Sequence, residues 1–381
     1  MKQLKKVIRI LSLFLCLCFF MVPIKASSHT HSGYSHDSSV NLNKSNWMSG
    51  LSDNLTMNEL SIPGTHDSMA YGNHTDFTLT QSMDLETQLK SGIRFIDLSV
   101  KNNGELNLGI HKDMVYLGYS LNDVIKTISE FLNRHQEEVV LVKISEYGDK
   151  TGNFASEVQR TLEKSGYSQY IFDGSSTSNP TLGEARGQII ILSDYSGKRW
   201  KTIPYSQNAR IQDSNYLSTN WDLYSKWEKV KKHLTDTNNS HSKSTRYINY
   251  LNGHGGVLPY FVASGHSSSG TGDSRLLTGL TEPGFKSYYP DFPRVSRFGI
   301  FSSIAFEGTN VLTLNYIVEK DVRFTGIVVS DFPGAGLIEE IIDLNYKTNS
   351  SSNNTSGSGN NSGSSSSTTN KDGWGFTFMN S

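Results

Sequence analysis

The feature that most constrains this chain is an alternation of short apolar runs with segments of helical period. Leu121 to Arg134 sets Leu121, Val124, Ile125, Ile128, Phe131 and Leu132 on one helical face. Glu138 to Ile144 follows as a strand ending at Ser145-Glu146-Tyr147, then Phe154 to Lys164 as a helix, then Gly187 to Leu192 as a short apolar strand. Upstream, Leu85 to Lys90 reads as the end of a helix leading into a buried strand, Gly92 to Leu98, with Glu105 to Ile110 as the next. Downstream, Leu223 to Leu234 is expected to be helical, Tyr247 to Leu251 and Gly326 to Ser330 extended, and the segment around Leu337 to Leu344 helical. Strands and helices in alternation imply a parallel sheet. Spread over roughly three hundred residues, the simplest arrangement is a (β/α) barrel, whose chemistry sits at the carboxyl ends of the strands.

Four residues capable of acid–base work, His66, His111, Glu146 and Asp331, are expected at such ends. In Ser61-Ile62-Pro63-Gly64-Thr65-His66-Asp67-Ser68 an apolar pair runs into Pro63 and Gly64, which are expected to end a strand and turn the chain. His66 and Asp67 come immediately after. His111 is expected to follow the next short strand as His66 follows its own, and Glu146 and Asp331 end two others. A histidine titrates near neutrality and can take or give a proton at modest cost. Two of them at one end of a sheet suit a base and an acid on opposite sides of one phosphorus.

The chain has 381 residues, 36% of them hydrophobic and 19% charged, enough for one large core or two small ones. Lys2, Lys5, Lys6 and Arg9 precede an apolar run from Ile10 to Val22, with Ala26 as a small residue for cleavage. This is the pattern of a secretory signal peptide over residues 1–26, and the run is short for a membrane span. Both cysteines, Cys16 and Cys18, lie inside it without the small residues that precede a lipidated cysteine. A secreted, cysteine-free mature chain would rely on core packing alone. Loss of five basic and no acidic residues would take its formal charge from −1 to −6, which disfavours nucleic acid and simple adhesion to anionic membranes.

Residues 27–46, rich in Ser, His and Asn, are expected to be a disordered leader, with metal contact by His29, His31 and His36 as the alternative. The folded region is expected over 47–346, a Ser/Asn/Gly-rich linker over 347–370, and a short aromatic tail with Trp374, Phe376 and Phe378 over 371–381. The glycine-rich stretches around His254 and His266 lack P-loop spacing and read as rim loops.

The set Ser-Ile-Pro-Gly-Thr-His-Asp-Ser, Gly-Ile-Arg-Phe-Ile-Asp-Leu, Thr181 to Gly187, Ile211-Gln212-Asp213 and Val329-Ser330-Asp331-Phe332-Pro333 resembles, in order, the bacterial phosphatidylinositol-specific phospholipases C. The resemblance runs from about Trp47 to Asn345 and implies an α/β fold, a single distorted (β/α)8 TIM-type barrel. It implies cleavage of phosphatidylinositol to diacylglycerol and inositol 1,2-cyclic phosphate, through attack of the inositol 2-hydroxyl on its own phosphorus, with no cofactor and no metal. His66 would be the general base, His111 the general acid, Asp331 the group orienting His66, and Asp67 the carboxylate assisting the acid. Glu146, Arg186 and Asp213 would hold the inositol ring, with Tyr216 stacking on it one place later than the pattern has it.

One departure stands out. Where metal-independent members carry an arginine for the phosphate and calcium-dependent relatives a carboxylate, this chain has Ser99. Strand alternation makes Lys101 a candidate replacement, and Lys112 a second one. The partners implied are phosphatidylinositol in membranes, glycosyl-phosphatidylinositol anchors as a further substrate, transient contact with the membrane surface, and no nucleic acid, for a monomer outside the cell. A barrel that kept the pocket but lost efficient catalysis, and a glycerophosphodiesterase-like enzyme, are the alternatives.

Overall fold

The computed structural model describes residues 30–352 apart from 105–106, 149–151, 198–199, 268–273 and 285. The expected signal peptide, most of the linker and the aromatic tail lie outside the described residues. Ten strands build one sheet. In chain order they are β1 (Ile62–Thr65), β2 (Phe95–Asn102), β3 (Leu108–Lys112), β4 (Val115–Ser120), β5 (Val140–Glu146), β6 (Ile189–Asp194), β7 (Ile203–Pro204), β8 (Ala209–Gln212), β9 (Arg246–Tyr250) and β10 (Ile327–Ser330). Eight of them are parallel, in the order β8-β9-β10-β1-β2-β5-β6-β7, a circular permutation of chain order. That is the order of a TIM-type barrel, opened between β7 and β8, which pair with their other neighbours but not with each other.

The distortion has a local cause. Only residues 205–208 separate β7 from β8, too few for the crossover helix that lies between ordinary barrel strands. Sequence reading missed both strands, because β7 is two residues long and β8 is partly exposed, so neither shows an apolar run. The expected helices are present as Leu85–Ser91, Leu121–Arg134, Phe154–Lys164, Asp222–Ser240 and Ala335–Ser352. In Leu121–Arg134 the six residues assigned to one face are all buried, and a Ser120–Asp123 capping box starts the helix. An insertion between β9 and the Thr309–Glu319 helix adds a three-stranded antiparallel sheet, Leu277–Pro283, Arg294–Phe298 and Phe301–Ala305, which the sequence did not suggest.

Two expectations about backbone are corrected. Pro63 and Gly64 do not turn the chain; they lie inside β1. The ladder passes around the proline, with Ile62 N donating to Gly326 O at 3.0 Å and Arg94 N to Pro63 O at 3.0 Å. Gly64 is required because a Cβ there would stand 2.8 Å from Phe95 Cβ on the adjoining strand. Nor does β3 continue the parallel series. It folds back antiparallel on β2, so His111 lies within a hairpin strand, opposite Ser99, and not beyond the end of a barrel strand.

The disordered leader is also corrected for residues 30–46. Thr30–His31 pairs with Tyr34–Ser35, and this hairpin grips the segment after β10: Ser35 N donates to Phe332 O (3.0 Å), Gly334 N to Gly33 O (3.1 Å) and Leu337 N to Ser32 O (2.9 Å). Tyr34 is buried against Tyr260 and Phe332. His31 Nδ1 accepts from Gly33 N within the hairpin, a structural role. A composition rich in Ser and His concealed these few anchoring contacts.

Further along, Arg94 is wholly buried at the start of β2. Its guanidinium donates to Glu138 Oε2 from Nε (2.9 Å) and Nη2 (2.8 Å), to Leu89 O (2.7 Å) and Ile93 O (2.8 Å), and to Ser45 O (2.9 Å), while Glu138 Oε1 accepts from Met48 N (2.8 Å). One ion pair thus ties the leader, a helix end and two barrel strands together. Removing one partner would strand a buried charge. Arg94→Met is expected to lower unfolding free energy by about 3–5 kcal/mol, checked by urea denaturation against Arg94→Met/Glu138→Gln, which should recover part of the loss.

Candidate active site

The turn after β1 is held rigidly. Thr65 Oγ1 bonds Ser68 Oγ (2.7 Å) and Gln88 Oε1 (2.7 Å). Ser68 Oγ accepts from Asp97 N (2.9 Å), and Ser68 N donates to Asp97 O (3.0 Å). Thr80 and Gln81 donate from their side chains to the carbonyl of His66, and Ser330 O accepts from His66 N. Asp67 takes φ +40°, the left-handed region that a short polar side chain tolerates. With its backbone fixed on both sides, the His66 ring is presented to a cavity of about 190 Å³ at the carboxyl ends of the strands.

His66 Nδ1 lies 2.9 Å from Asp331 Oδ1, just beyond β10, and its Nε2 lies 3.3 Å from Asp67 Oδ2. A proton on Nδ1 donated to Asp331 leaves Nε2 as the basic nitrogen facing the cavity. Burial works against a charged imidazole here, but the carboxylates of Asp67 and Asp331 outweigh it and raise the His66 pKa to about 9. The same Oδ2 of Asp67 accepts from Lys112 Nζ at 2.6 Å. Burial raises the Asp67 carboxyl, yet the charges of His66 and Lys112 bring it below its usual value. Lys112, opposed by burial and favoured by Asp67, is raised and stays charged.

Across the cavity, Lys143 on β5 meets Asp97 Oδ1 at 3.2 Å and Tyr250 Oη at 3.3 Å, over the ring of Tyr205. Although burial disfavours its charge, Asp97 and the groups around it raise its pKa. Asp213, Asn215, Tyr147, Tyr250, His254, Ser99 and Asp113 complete the wall. The chamber therefore offers carboxylates for a hydroxyl-rich ligand and two lysines for an anion.

The structure brings together His66, Asp67, Asp331 and Asp213 among the expected site residues. His111 borders the same site: on β3 it stands directly opposite Ser99, which lines the cavity, and directly opposed residues of a hairpin share a face, while Lys112, one residue on, also reaches the cavity. His111 is buried against Tyr116 and stacked on Tyr147, with neither ring nitrogen bonded among the described residues, and burial and Lys101 lower its pKa. Arg186 is corrected outright. It sits ahead of β6, at the amino ends of the strands, and binds Asp53 Oδ1 (2.6 Å), Glu137 O (2.6 Å) and Leu51 O (2.8 Å).

Lys101 and Glu146 share a neighbouring groove with Asn102, Asn153 and Phe154 instead of lining this cavity. Tyr216 stands at the rim, 70% exposed, edge-on to His254 at 6.3 Å. Lys143, Tyr250 and Asn215 were missed. For Lys143 a signal existed: a lysine inside an otherwise apolar barrel strand is costly unless paired.

Residues 57–195 match the family model described as Phosphatidylinositol-specific phospholipase C, X domain. The 1-phosphatidylinositol phosphodiesterase of Listeria monocytogenes is 32% identical over 203 residues, 50% of this chain and 62% of the relative. The alignment thus spans just under two thirds of that relative. The Staphylococcus aureus protein of the same name is 27% identical over 295 residues, 70% of this chain and 84% of the relative. Among solved structures, the phosphatidylinositol-specific phospholipase C from Listeria monocytogenes superposes with a TM-score of 0.59 at 23% identity, covering 80% of this chain and 99% of that one. A Staphylococcus aureus phosphatidylinositol-specific phospholipase C gives 0.57 at 20% identity, covering 79% and 97%. The fold is therefore the bacterial family's TIM-type barrel. The X-domain match contains His66, Asp67, Asp97, Ser99, Lys112 and Lys143, while Asp213, Tyr250 and Asp331 come from the chain beyond it.

The His66 environment makes a direct prediction. Its titration followed by NMR should show a midpoint near 9. In Asp331→Asn, loss of a carboxylate should move the midpoint down by about 1–3 pH units; an unchanged midpoint would show that Asp331 does not govern it.

Proposed function

We propose that this protein is a phosphodiesterase that cleaves phosphatidylinositol to diacylglycerol and inositol 1,2-cyclic phosphate. The observation that carries the reading is the pairing of a basic His66 Nε2, held from behind by Asp331, with two buried lysines in one polar cavity of an X-domain barrel. His66 takes the proton of the inositol 2-hydroxyl, which then attacks its own phosphorus. Because the nucleophile belongs to the substrate, no water need be brought in and positioned. Lys143 and Lys112 supply the positive charge that Ser99 does not, as point charges in a partly dry site. Asp213 accepts from the ring hydroxyls, and Tyr216 at the rim is placed to meet the ring face.

Access to a lipid is supported by the insertion. Its outer hairpin turns at Gly299-Ile300, with Phe298 84% and Ile300 69% exposed, and Phe301, Arg297 and Lys286 beside them. An apolar tip ringed by cations suits entry into the headgroup region for a transient stay. The expected signal peptide would put the enzyme outside the cell, where glycosyl-phosphatidylinositol anchors present the same phosphodiester.

Phosphorus NMR of phosphatidylinositol vesicles with excess chelator should show the cyclic phosphate. His66→Ala should lower the rate by about 10²–10⁴, and no product with or without calcium would end the phospholipase reading. As the base must be neutral, kcat/KM should climb with pH toward about 9. Phe298→Ser/Ile300→Ser should weaken vesicle binding in sedimentation while leaving turnover of a monomeric short-chain phosphatidylinositol intact; loss of both would mean the hairpin supports folding instead.

A further inference from the structure

The helix Asp222–Ser240 buries a stripe of Leu223, Trp227, Val230, Leu234 and Thr237, and Lys226 stands in that stripe with only 2% of its surface exposed. A lysine at such a position costs folding energy unless a carboxylate pairs with it. Among the described residues none does: its Nζ donates to a main-chain oxygen, Tyr250 O, at 2.6 Å. Burial pushes its ammonium down to about 7, although Asp213 and Asp331 lie near enough to pull the other way. We propose that Lys226 is a positioning residue for the polyol headgroup, fixing Asp213 to receive the ring hydroxyls; the inference rests on the phosphodiester reading above.

The route from Lys226 to Asp213 is short. Tyr250 O accepts a second hydrogen bond, from Gln212 Nε2 at 2.8 Å, and the same nitrogen donates to Asn249 Oδ1 at 2.9 Å. Gln212 Oε1 in turn accepts from Ser214 N at 2.8 Å. The residues on both sides of Asp213 are thus tied to one carbonyl at the end of β9, and Lys226 holds that carbonyl from the helix side. Asn249 Nδ2 adds a second tie to the helix, donating to Val230 O at 3.1 Å.

The open barrel explains why such a clamp is needed. β8 is four residues long and pairs with β9 on one side, while β7 does not pair with it across the gap. Asp213 follows β8 directly, lines the cavity and, among the described residues, accepts no hydrogen bond, which leaves its oxygens for a ligand. A buried charge kept at a cost in stability beside such a site is the signature of a functional group.

The test separates this role from a merely structural one. Wild type, Lys226→Met, Asp213→Asn and the double variant are compared for urea midpoint, for kcat and KM on a monomeric short-chain phosphatidylinositol, and for the dissociation constant of free myo-inositol by calorimetry. Lys226→Met exchanges a buried ammonium for an apolar chain of similar length while Gln212 still bonds Tyr250 O, so its urea midpoint should match or exceed that of wild type. Its KM and inositol dissociation constant should both rise about tenfold, with kcat little changed. In the Asp213→Asn background the same substitution should add little, because the contact it serves is already lost. Lys226→Gln keeps a polar head and serves should the methionine variant not fold. A lowered urea midpoint with unchanged KM, an unchanged inositol constant, or losses that add fully in the double variant would each overturn the assignment. Failure of both Lys226 variants to fold would do the same, by making the lysine structural. A wild type that turns over no phosphatidylinositol would instead overturn the phosphodiester reading, whatever the inositol constants.

Discussion

A single carboxylate oxygen, Asp67 Oδ2, organises the mouth of this barrel. It stands between His66 Nε2 and Lys112 Nζ in a largely buried setting, where unpaired charge is expensive. Each partner makes the others affordable: the carboxylate holds a proton on the imidazole, the two cations keep the carboxyl ionised, and Asp331 closes the set from the far side of the ring. The price is structural. Two barrel strands, a hairpin and the segment after β10 must all arrive within hydrogen-bond reach of one turn. That is why Ser68, Gln81 and Asn310 direct side-chain hydrogen bonds to backbone in this region.

The same constraint accounts for the N-terminal hairpin. The segment carrying Asp331 runs on past the end of β10, and the left-handed Phe332 follows at once. Bonds from Ser32, Gly33 and Ser35 fix that backbone, and Tyr34 packs over Phe332. The stretch that composition marks as a leader thus steadies the carboxylate that meets His66 Nδ1. Arg94 and Glu138 do comparable work at the opposite end of the barrel, where Arg186 also belongs.

Much of the fold was legible in the chain. The amphipathic Leu121–Arg134 helix and the apolar β5, β6 and β10 lie where period and residue type put them, since each buries a face whose pattern is local. His66, Asp67, Asp213 and Asp331 were legible as site residues through their motifs. The strands β7 and β8 were not, because two to four partly exposed residues carry no pattern. The position of His111 within a strand was not either, because a reversal after β2 turns an expected parallel strand into a hairpin whose pairing sets His111 opposite Ser99.

Local sequence, then, determined the longer patterned strands and helices, and that a histidine and aspartate would stand at the end of β1. Period and propensity act over a few residues and need no distant partner. Only the tertiary structure decided that Lys112 and Lys143, not Lys101 or Arg186, complete the cavity. Those choices depend on hairpin register, on which end of the barrel a side chain meets, and on charge pairing between residues as far apart as Asp67 and Asp331. None of these is written in the neighbourhood of any one residue.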